Sequence, residues 1–517
     1  MNPRIRWVGG IMLLCFILLF VQLNNIQVRQ APALRRNPLN KTGTTPSVVL
    51  PRGEILSSEG YVLAESKPVH NSIYKYRRIY PSLTAGAFAP ITGYYDSADG
   101  GTVQYGIEAS YDQYLAQHTS PAGTLGQLLT QHEETDTVQL TVSEKLQVAA
   151  YKALAAAGQP GSAVVLIDPR NGDVLAMAEY PTYDPNVLAR LNPAAVHRAF
   201  KHLVGLPFNA NPLYNIATDV PHPPGSTFKT ITTSAIYDHD ASVAAEIFPT
   251  EVSYTFPNSG NPPQTLHNYA SSACGGDLAQ VLLQSCDTAY SQIGVQLGPE
   301  NLALEANAFG LNDVAPIDLP RSQVFPSCQG CYGFPSPSLI GATPYTGFSA
   351  IGQFDDKATA LQMALVAAGL ADNGVIMKPH LVSRVVGSQG VVELDYKPQV
   401  WRRATSAATA NKVRNLMLGV TENPAGTAYG VFQQYGQGLP PIAAKTGTAE
   451  PQKNVCGTYN WLVAFGPAGT GETPSVAGAA IVPIPSNSSS CQTNPTGASV
   501  AGPVLIPLLR QALELNP

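Results

Sequence analysis

The sequence has few charged residues and no concentration of either sign. Asp, Glu, Lys and Arg together make up 13% of the 517 residues, and the formal net charge is −5. The chain has no cluster of Lys and Arg, which argues against nucleic acid as a partner. Its nine histidines and seven cysteines show no zinc-ligand spacing, so we expect neither a metal nor another cofactor.

Long hydrophobic runs are also scarce, and the main one lies at the N-terminus. Arg4 and Arg6 precede an apolar run over residues 7–21, which is extended weakly to residue 28. The run suits a signal peptide, and Ala31-Pro32-Ala33 is similar to a cleavage site. An uncleaved helix over residues 7–28 would instead reach across a membrane. Both interpretations place most of the chain outside the cytoplasm.

The cysteines agree with an exported chain. Cys15 lies in the apolar run, and the six others form an even set of the kind that pairs in oxidising compartments. Sequence does not fix the pairing, and buried free thiols remain an alternative. The most local solution consists of three bridges: Cys274–Cys286, Cys328–Cys331 and Cys456–Cys491.

Apolar periodicity predicts an α+β fold in the second part of the chain. Residues 29–155 contain short strand-like runs without chemically active groups, which suggests a platform or spacer. Beyond them, a hairpin, a helical middle, further strands and a closing helix suggest a sheet covered by helices. The predicted strands are 163–167, 174–178, 461–465 and 476–482, and the predicted helices are 227–237, 358–368 (with Gly369 as its stop) and 500–513.

Ser226 and Lys229 are the first pair with chemical meaning. On a helix they lie one turn apart, so the lysine can reach the serine hydroxyl and act as its base. Pro223, Pro224 and Gly225 precede them and favour a helix start, where free N–H groups stabilise a developing negative charge. Alone the pattern is weak, because roughly one or two such matches occur by chance and serine is a common helix cap.

A lysine on a predicted edge strand gives the pair its significance. Lys445, after an apolar run, would place a cation where an extended substrate could pair. Thr446 and Thr448 alternate onto one face and could bind an anionic group. Gly447 would keep the strand surface clear for a ligand backbone. Together with Ser285 and Asp287 between them, these residues indicate acyl transfer.

The order of these motifs resembles that of serine penicillin-recognising enzymes. Further segments extend the likeness over nearly the whole chain to the class B, monofunctional penicillin-binding proteins, closest to the actinobacterial penicillin-binding protein A group. They are Pro51–Ile55, Gly60–Ala64, Tyr105–Glu108, Tyr183–Asn186, Pro224–Lys229, Gly352-Gln353 and Lys445–Glu450.

The resemblance implies a role for each motif residue. Ser226 would be the acylated nucleophile, Lys229 its general base and Ser285 a proton shuttle. Lys445 would hold the terminal carboxylate of a D-Ala-D-Ala stem peptide together with the substrate-binding residues Thr446, Gly447 and Thr448. The backbone N–H groups of Ser226 and Thr448 would form the oxyanion hole. Burial and the nearby Lys445 would keep Lys229 neutral.

Asp287 departs from the family pattern, which has asparagine as the third residue of the middle motif. A carboxylate cannot donate the hydrogen bond of an amide, and it favours a charged Lys229. Either Lys445 absorbs this charge, or Asp287 is protonated, or the enzyme acylates differently.

The resemblance also implies an organisation and partners. We expect a cytoplasmic stub (1–6), a transmembrane anchor (7–28), an elongated mostly-β pedestal of dimerisation type (29–155) and a penicillin-binding transpeptidase domain (156–517) with a central antiparallel sheet. The protein would be a single-pass membrane D,D-transpeptidase with an extracytoplasmic catalytic domain, trapped by β-lactams. Its pedestal would meet a membrane glycosyltransferase of the shape, elongation, division and sporulation family. The alternatives are a non-catalytic scaffold of the wall machinery, or a D,D-carboxypeptidase or β-lactamase that uses water.

Overall fold

The computed structural model describes residues 3–25, 51–70, 74–96, 101, 103–116, 118–119, 133–330, 342–450, 457–485 and 495–516. The helices in these ranges are α1 Pro3–Asn24, α2 Ala85–Thr92, α3 Gly106–Ser110, α4 Asp112–Leu115, α5 Glu144–Ala157, α6 Pro193–Val204, α7 Ile216–Asp219, α8 Lys229–His239, α9 Leu278–Leu283, α10 Asp287–Ala308, α11 Ala342–Ser349, α12 Ala360–Ala371, α13 Ala407–Glu422, α14 Tyr429–Tyr435 and α15 Gly497–Leu515.

The strands are β1 Ile55–Leu56, β2 Val62–Pro68, β3 Tyr76–Ile79, β4 His118–Thr119, β5 Glu133–Glu134, β6 Thr137–Leu140, β7 Ser162–Ile167, β8 Val174–Tyr180, β9 Phe248–Glu251, β10 Ser253–Thr255, β11 Thr265–His267, β12 Cys274–Gly276, β13 Val375–Met377, β14 Val382–Val386, β15 Val392–Asp395, β16 Val400–Arg403, β17 Ala443–Ala449, β18 Thr458–Gly466 and β19 Val476–Ile484.

Helix α1 covers most of the predicted anchor, while residues 26–28 lie outside the described ranges. Its large apolar side chains, such as Phe16 and Leu19, are exposed. By length and hydropathy, no helix among the described residues is sufficient to cross a bilayer. The anchor therefore stays a prediction.

A five-stranded antiparallel sheet forms the centre of the second part, in the order β17-β18-β19-β7-β8. Side chains of β7 alternate between two cores: Val165 and Ile167 pack with α12, and Val164 and Leu166 pack with α15 and α5. Burial on both faces explains why these strands are continuous apolar runs in the sequence. The predicted α+β fold, a sheet covered by helices, is confirmed. The four predicted strands are four of the five strands of this sheet.

Gly369 does not end the predicted helix. Helix α12 continues through it to Ala371, because the absent side chain lets the helix lie against Ile376. A Cβ on Gly369 would come within 2.7 Å of Ile376 Cγ1. The glycine thus serves packing, a reason that a local pattern does not contain.

A second sheet combines distant parts of the chain. Its order is β15-β14-β6-β1-β2-β3, so β14, which follows residue 380, pairs with β6 of the N-terminal region, and β15 pairs with β14. Helix α5 begins before the domain boundary predicted at residue 155. It nevertheless packs against β8 and α15, which lie beyond that boundary. A boundary drawn from chain order divides elements that pack together.

Two of the segments quoted for the family resemblance meet in a buried ion network. Arg52 Nε lies 2.5 Å from one Glu108 carboxylate oxygen, and Arg78 Nε lies 2.6 Å from the other. Tyr80 donates a hydrogen bond to the same carboxylate at 2.9 Å. Burial opposes the charge of Glu108, but Arg78 and Arg52 outweigh it and lower the pKa of the carboxyl. This network stabilises the N-terminal region.

Candidate active site

Ser226 lies in a tight turn that two glycines make possible. The turn is a 3-10 helix, Gly225–Phe228, followed by α8, so the serine does not begin the α-helix as the sequence suggested. Gly225 has a φ of 54°, and its N–H donates to Gly352 O at 2.8 Å. A Cβ on Gly352 would come within 2.2 Å of Gly225 O. This close contact holds the backbone of the turn that contains Ser226.

Lys229, which is fully buried, points to the middle motif. Its Nζ donates to Ser285 O at 2.8 Å and to Asp287 Oδ1 at 2.7 Å, and lies 3.3 Å from Ser285 Oγ. Among the described residues, Ser226 Oγ has no hydrogen-bond partner, and the expected bond to Lys229 is not formed in this state. Catalytic hydrogen bonds are often long in free enzymes and tighten when substrate binds.

Ser285 connects the two lysines. It joins α9 to α10 with a φ of 62°, a left-handed conformation that non-glycine residues adopt at a cost of about 1–3 kcal/mol. Its hydroxyl accepts from Lys445 Nζ at 2.8 Å. The disulfide Cys274–Cys286, the first of the three predicted bridges, holds the next residue. Cys328 is also disulfide-bonded, but Cys331, Cys456 and Cys491 lie outside the described residues.

Burial makes both ammonium groups easier to deprotonate. It lowers the pKa of Lys229, although Asp287 opposes the shift. The pKa of Lys445 falls well below its usual value, first through burial and then through the charge of Lys229, again opposed by Asp287. The two ammonium groups thus share a buried site in which Asp287 is the opposing charge.

The residues after Lys445 face two sides of β17. Gly447 lies against the nucleophile turn, where a Cβ would come within 2.8 Å of Pro224 O. In the structure the glycine leaves room for this turn, and its predicted role beside a ligand backbone stays a prediction. Thr446 Oγ1 lies 2.8 Å from Thr427 Oγ1, and Thr448 Oγ1 accepts from the N–H of Gly497. Substrate binding by the two threonines stays a prediction.

The proposed oxyanion groups are close together. A Cβ on Gly225 would lie 3.2 Å from both Thr448 C and Ala449 N, so the turn of Ser226 is adjacent to Thr448. Trp461 on β18 stabilises this arrangement, because its Nε1 donates a hydrogen bond to Pro223 O at 2.8 Å. The Ser226 turn thus lies against Thr448, and the oxyanion hole of their two N–H groups stays a prediction.

Comparison with known families agrees with this geometry. Residues 162–508 match the penicillin binding protein transpeptidase domain, and residues 52–136 match the penicillin binding protein A dimerisation domain. The chain belongs to the penicillin-binding protein transpeptidase family. The predicted family is confirmed.

Several members of the family are similar to this chain over its whole length. The peptidoglycan D,D-transpeptidase PbpA of Mycobacterium tuberculosis is 31% identical, with 100% of each chain covered. The PbpA of Mycolicibacterium smegmatis is 32% identical over 98% of this chain and 97% of the relative. The solved structure of penicillin-binding protein A from M. tuberculosis in a ceftriaxone acyl-enzyme complex has a TM-score of 0.76 and 30% identity, covering 91% of this chain and 100% of that chain.

Two contacts of this penicillin-binding protein were not predicted from its sequence. Tyr290 lies one turn after Asp287 on α10, and its ring centroid is 5.3 Å from Lys229 Nζ. The spacing of three residues on one helix was a usable signal. Thr427, which holds Thr446, lies on a separate loop and offers none.

His222 and His267 are the histidines nearest in the sequence to Ser226 and to Ser285, respectively. The His222 backbone pairs with Ala358, and its ring lies 4.8 Å from that of Tyr459. Burial, with a smaller effect of Lys357, lowers the pKa of His222 to about 3. His267 lies on β11 and is exposed. Packing therefore accounts for His222, whose neutral ring is unsuited to act as a general acid at physiological pH.

Proposed function

We propose that this chain is a peptidoglycan D,D-transpeptidase that cross-links stem peptides through an acyl-enzyme on Ser226. The observation that carries the proposal is the convergence of Lys229, Ser285 and Lys445 beside the Ser226 turn. Membership of the family supports it, as does the relative from M. tuberculosis, whose structures include penicillin G and imipenem acyl-enzyme complexes. β-Lactams acylate and inhibit this chain in the same way.

The reaction has two halves. Ser226 Oγ attacks the carbonyl carbon of the penultimate D-alanine while neutral Lys229 takes its proton. The N–H groups of Ser226 and Thr448 stabilise the oxyanion. When the C–N bond breaks, the departing D-alanine receives a proton through Ser285. The amine of an acceptor stem then attacks the ester, loses a proton to the same groups and releases Ser226.

The substrate itself helps to prepare the base. Its terminal carboxylate binds near Lys445 and stabilises the positive charge there. A charged Lys445 repels a proton on Lys229, and Ser285 Oγ lies between the two ammonium groups to carry it. This effect counters Asp287, which favours a charged Lys229. Substrate binding thus lowers the cost of activating Ser226.

Attachment to the membrane belongs to the same proposal. Residues 7–28 anchor the chain, and the exposed apolar side chains of α1 support this assignment. The other segments keep their predicted limits: the cytoplasmic stub is 1–6, the pedestal is 29–155 and the transpeptidase domain is 156–517. Full-length protein should stay with the membrane after an alkaline wash, whereas a variant without residues 1–28 should appear in the supernatant. Recovery of both variants in the supernatant would contradict the anchor.

The N-terminal region gives a surface for a membrane glycosyltransferase of the shape, elongation, division and sporulation family. The match of residues 52–136 to a dimerisation domain supports a contact role for this region. Co-purification of such an enzyme with the full-length protein, lost when residues 52–136 are replaced, is the expected result. Unchanged co-purification would contradict the assignment.

Product analysis distinguishes a transpeptidase from a hydrolase. With a donor that ends in D-Ala-D-Ala and an acceptor amine, the purified protein should form the cross-linked peptide as its main product. Ser226→Ala should form none. If only the peptide shortened by one D-alanine appears, the enzyme is a carboxypeptidase.

A further inference from the structure

In the part of the chain that the structure describes, strand β17 has one edge without a neighbouring strand, which an extended substrate can join. It stands at the end of the five-stranded sheet, with β18 on its other side. Peptides bind such edges through main-chain hydrogen bonds. The Ser226 turn lies beside Thr448 and Ala449, at the C-terminal part of the strand. The carbonyl that Ser226 attacks is therefore expected next to Thr448.

The position of Lys445 gives the donor its direction. This lysine precedes Thr448 by three residues, and it binds the terminal carboxylate in the proposed function. The departing D-alanine then lies on the Lys445 side, and the rest of the donor extends past Ala449. A strand advances about 3.3 Å per residue, so Glu450 lies about 7 Å beyond Thr448. The side chain of the next stem residue passes at this distance.

Among the residues that the structure describes, Glu450 is a carboxylate without a counter-ion at this end of the cleft. It follows β17 directly and is exposed. Within the described ranges it forms no ion pair or hydrogen bond, whereas Asp287 has Lys229 at 2.7 Å. Partial burial and the charge of Asp287 raise the pKa of Glu450, so the two carboxylates are electrostatically coupled. A cation bound here would relieve their repulsion.

The proposed reaction supplies such a cation. A cross-link joins two stems through an amine of the acceptor, so every uncross-linked stem carries this amine, including one that acts as donor. We propose that Glu450 binds the side-chain ammonium of the donor residue next to the two D-alanines, and thereby selects donors whose amine is free. This inference rests on the proposed function. The cleft is then bipolar, with Lys445 for the carboxylate and Glu450 for the ammonium.

Two synthetic donors test the assignment in the full-length protein. Both end in D-Ala-D-Ala and differ only in whether the side-chain amine is free or acetylated. The release of D-alanine gives kcat/KM for each donor at the same acceptor concentration. We expect wild type to prefer the free amine by about threefold to fivefold, the range of an exposed ion pair. In Glu450→Gln, which keeps the size of the side chain, the ratio should fall to about one.

The controls separate recognition from a structural effect. Glu393→Gln removes an exposed carboxylate on β15 and should leave the ratio as in wild type. A Glu450→Gln variant with an unchanged ratio, or a wild type without any preference, would overturn the inference and leave the proposed function intact. If Glu450→Gln slows penicillin acylation and the turnover of both donors by the same factor, the residue acts on the structure of the site. This result would also overturn the inference. If wild type releases D-alanine from neither donor, the function and the inference fail together.

Discussion

At the scale of single residues, Asp287 has the largest effect on the chemistry that we propose. Burial lowers the pKa of Lys229, and the Asp287 carboxylate, 2.7 Å from Lys229 Nζ, opposes this shift. Lys229 must be neutral to accept the proton of Ser226. The ion pair therefore favours the charged form of the base, whereas burial favours the neutral form that the reaction needs.

The substitution Asp287→Asn tests this role. Without the carboxylate, the pKa of Lys229 falls further, so more of the lysine is neutral at a given pH. The acid limb of the pH profile for penicillin acylation should move to lower pH. At neutral pH the rate should stay within about tenfold of wild type, roughly 1.4 kcal/mol in the barrier.

Second-order acylation rates across pH give the answer. Asp313→Asn, which removes a carboxylate of an exposed ion pair with Arg402, is the matched control and should leave the profile unchanged. Complete loss of acylation in Asp287→Asn would show that the carboxylate has a role of its own. A shift of the acid limb to higher pH would contradict the account.

At the scale of elements, the 3-10 turn of Ser226 depends on the loop that contains Gly352. Gly352 has a φ of 69°, and a Cβ there would meet Gly225 O at 2.2 Å. Gly390 has a φ of 78°, but a Cβ added to it would have no atom within 4 Å. The two glycines share a left-handed backbone and differ in their surroundings.

Alanine at these two positions separates backbone strain from close packing. Gly390→Ala should cost roughly 1 kcal/mol of stability through its conformation alone. Gly352→Ala should cost roughly 3 kcal/mol, because the contact adds to the strain, and it should slow penicillin acylation strongly. Thermal unfolding and acylation rates check both effects. Equal behaviour of the two variants would contradict the role of Gly352.

Local patterns were sufficient where the cause is local. The Ser226 and Lys445 motifs, the strands of the central sheet and the bridge Cys274–Cys286 follow from neighbours in the sequence. Gly369 was interpreted wrongly as a helix stop, and the contact of Gly447 with the nucleophile turn was not predicted, because each glycine lies against a residue that only the fold brings near. Thr427 was missed for the same reason.

At the scale of the whole molecule, long-range pairing joins the N-terminal region to the rest of the chain. Strands β14 and β15, which come late in the sequence, extend the six-stranded sheet of the N-terminal region. The buried Glu108 carboxylate holds Arg52 and Arg78 within that region. Composition gives no signal of such long-range pairings. A domain boundary placed at residue 155 from chain order therefore does not include them.

Removing the charge of Glu108 should destabilise this region. Glu108→Gln leaves Arg78 buried without its carboxylate, which typically costs about 3–5 kcal/mol. Asp313→Asn in the exposed pair with Arg402 should cost less than about 1 kcal/mol. Thermal unfolding of the two variants measures the difference. Similar midpoints would show that the network contributes little.

Labelling with a fluorescent penicillin tests the central claim most directly. Wild-type protein should acquire a stable label that maps to the peptide containing Ser226. Ser226→Ala, folded to the same extent by thermal unfolding, should acquire none. A label on the alanine variant equal to that of wild type would contradict an acyl-enzyme on Ser226.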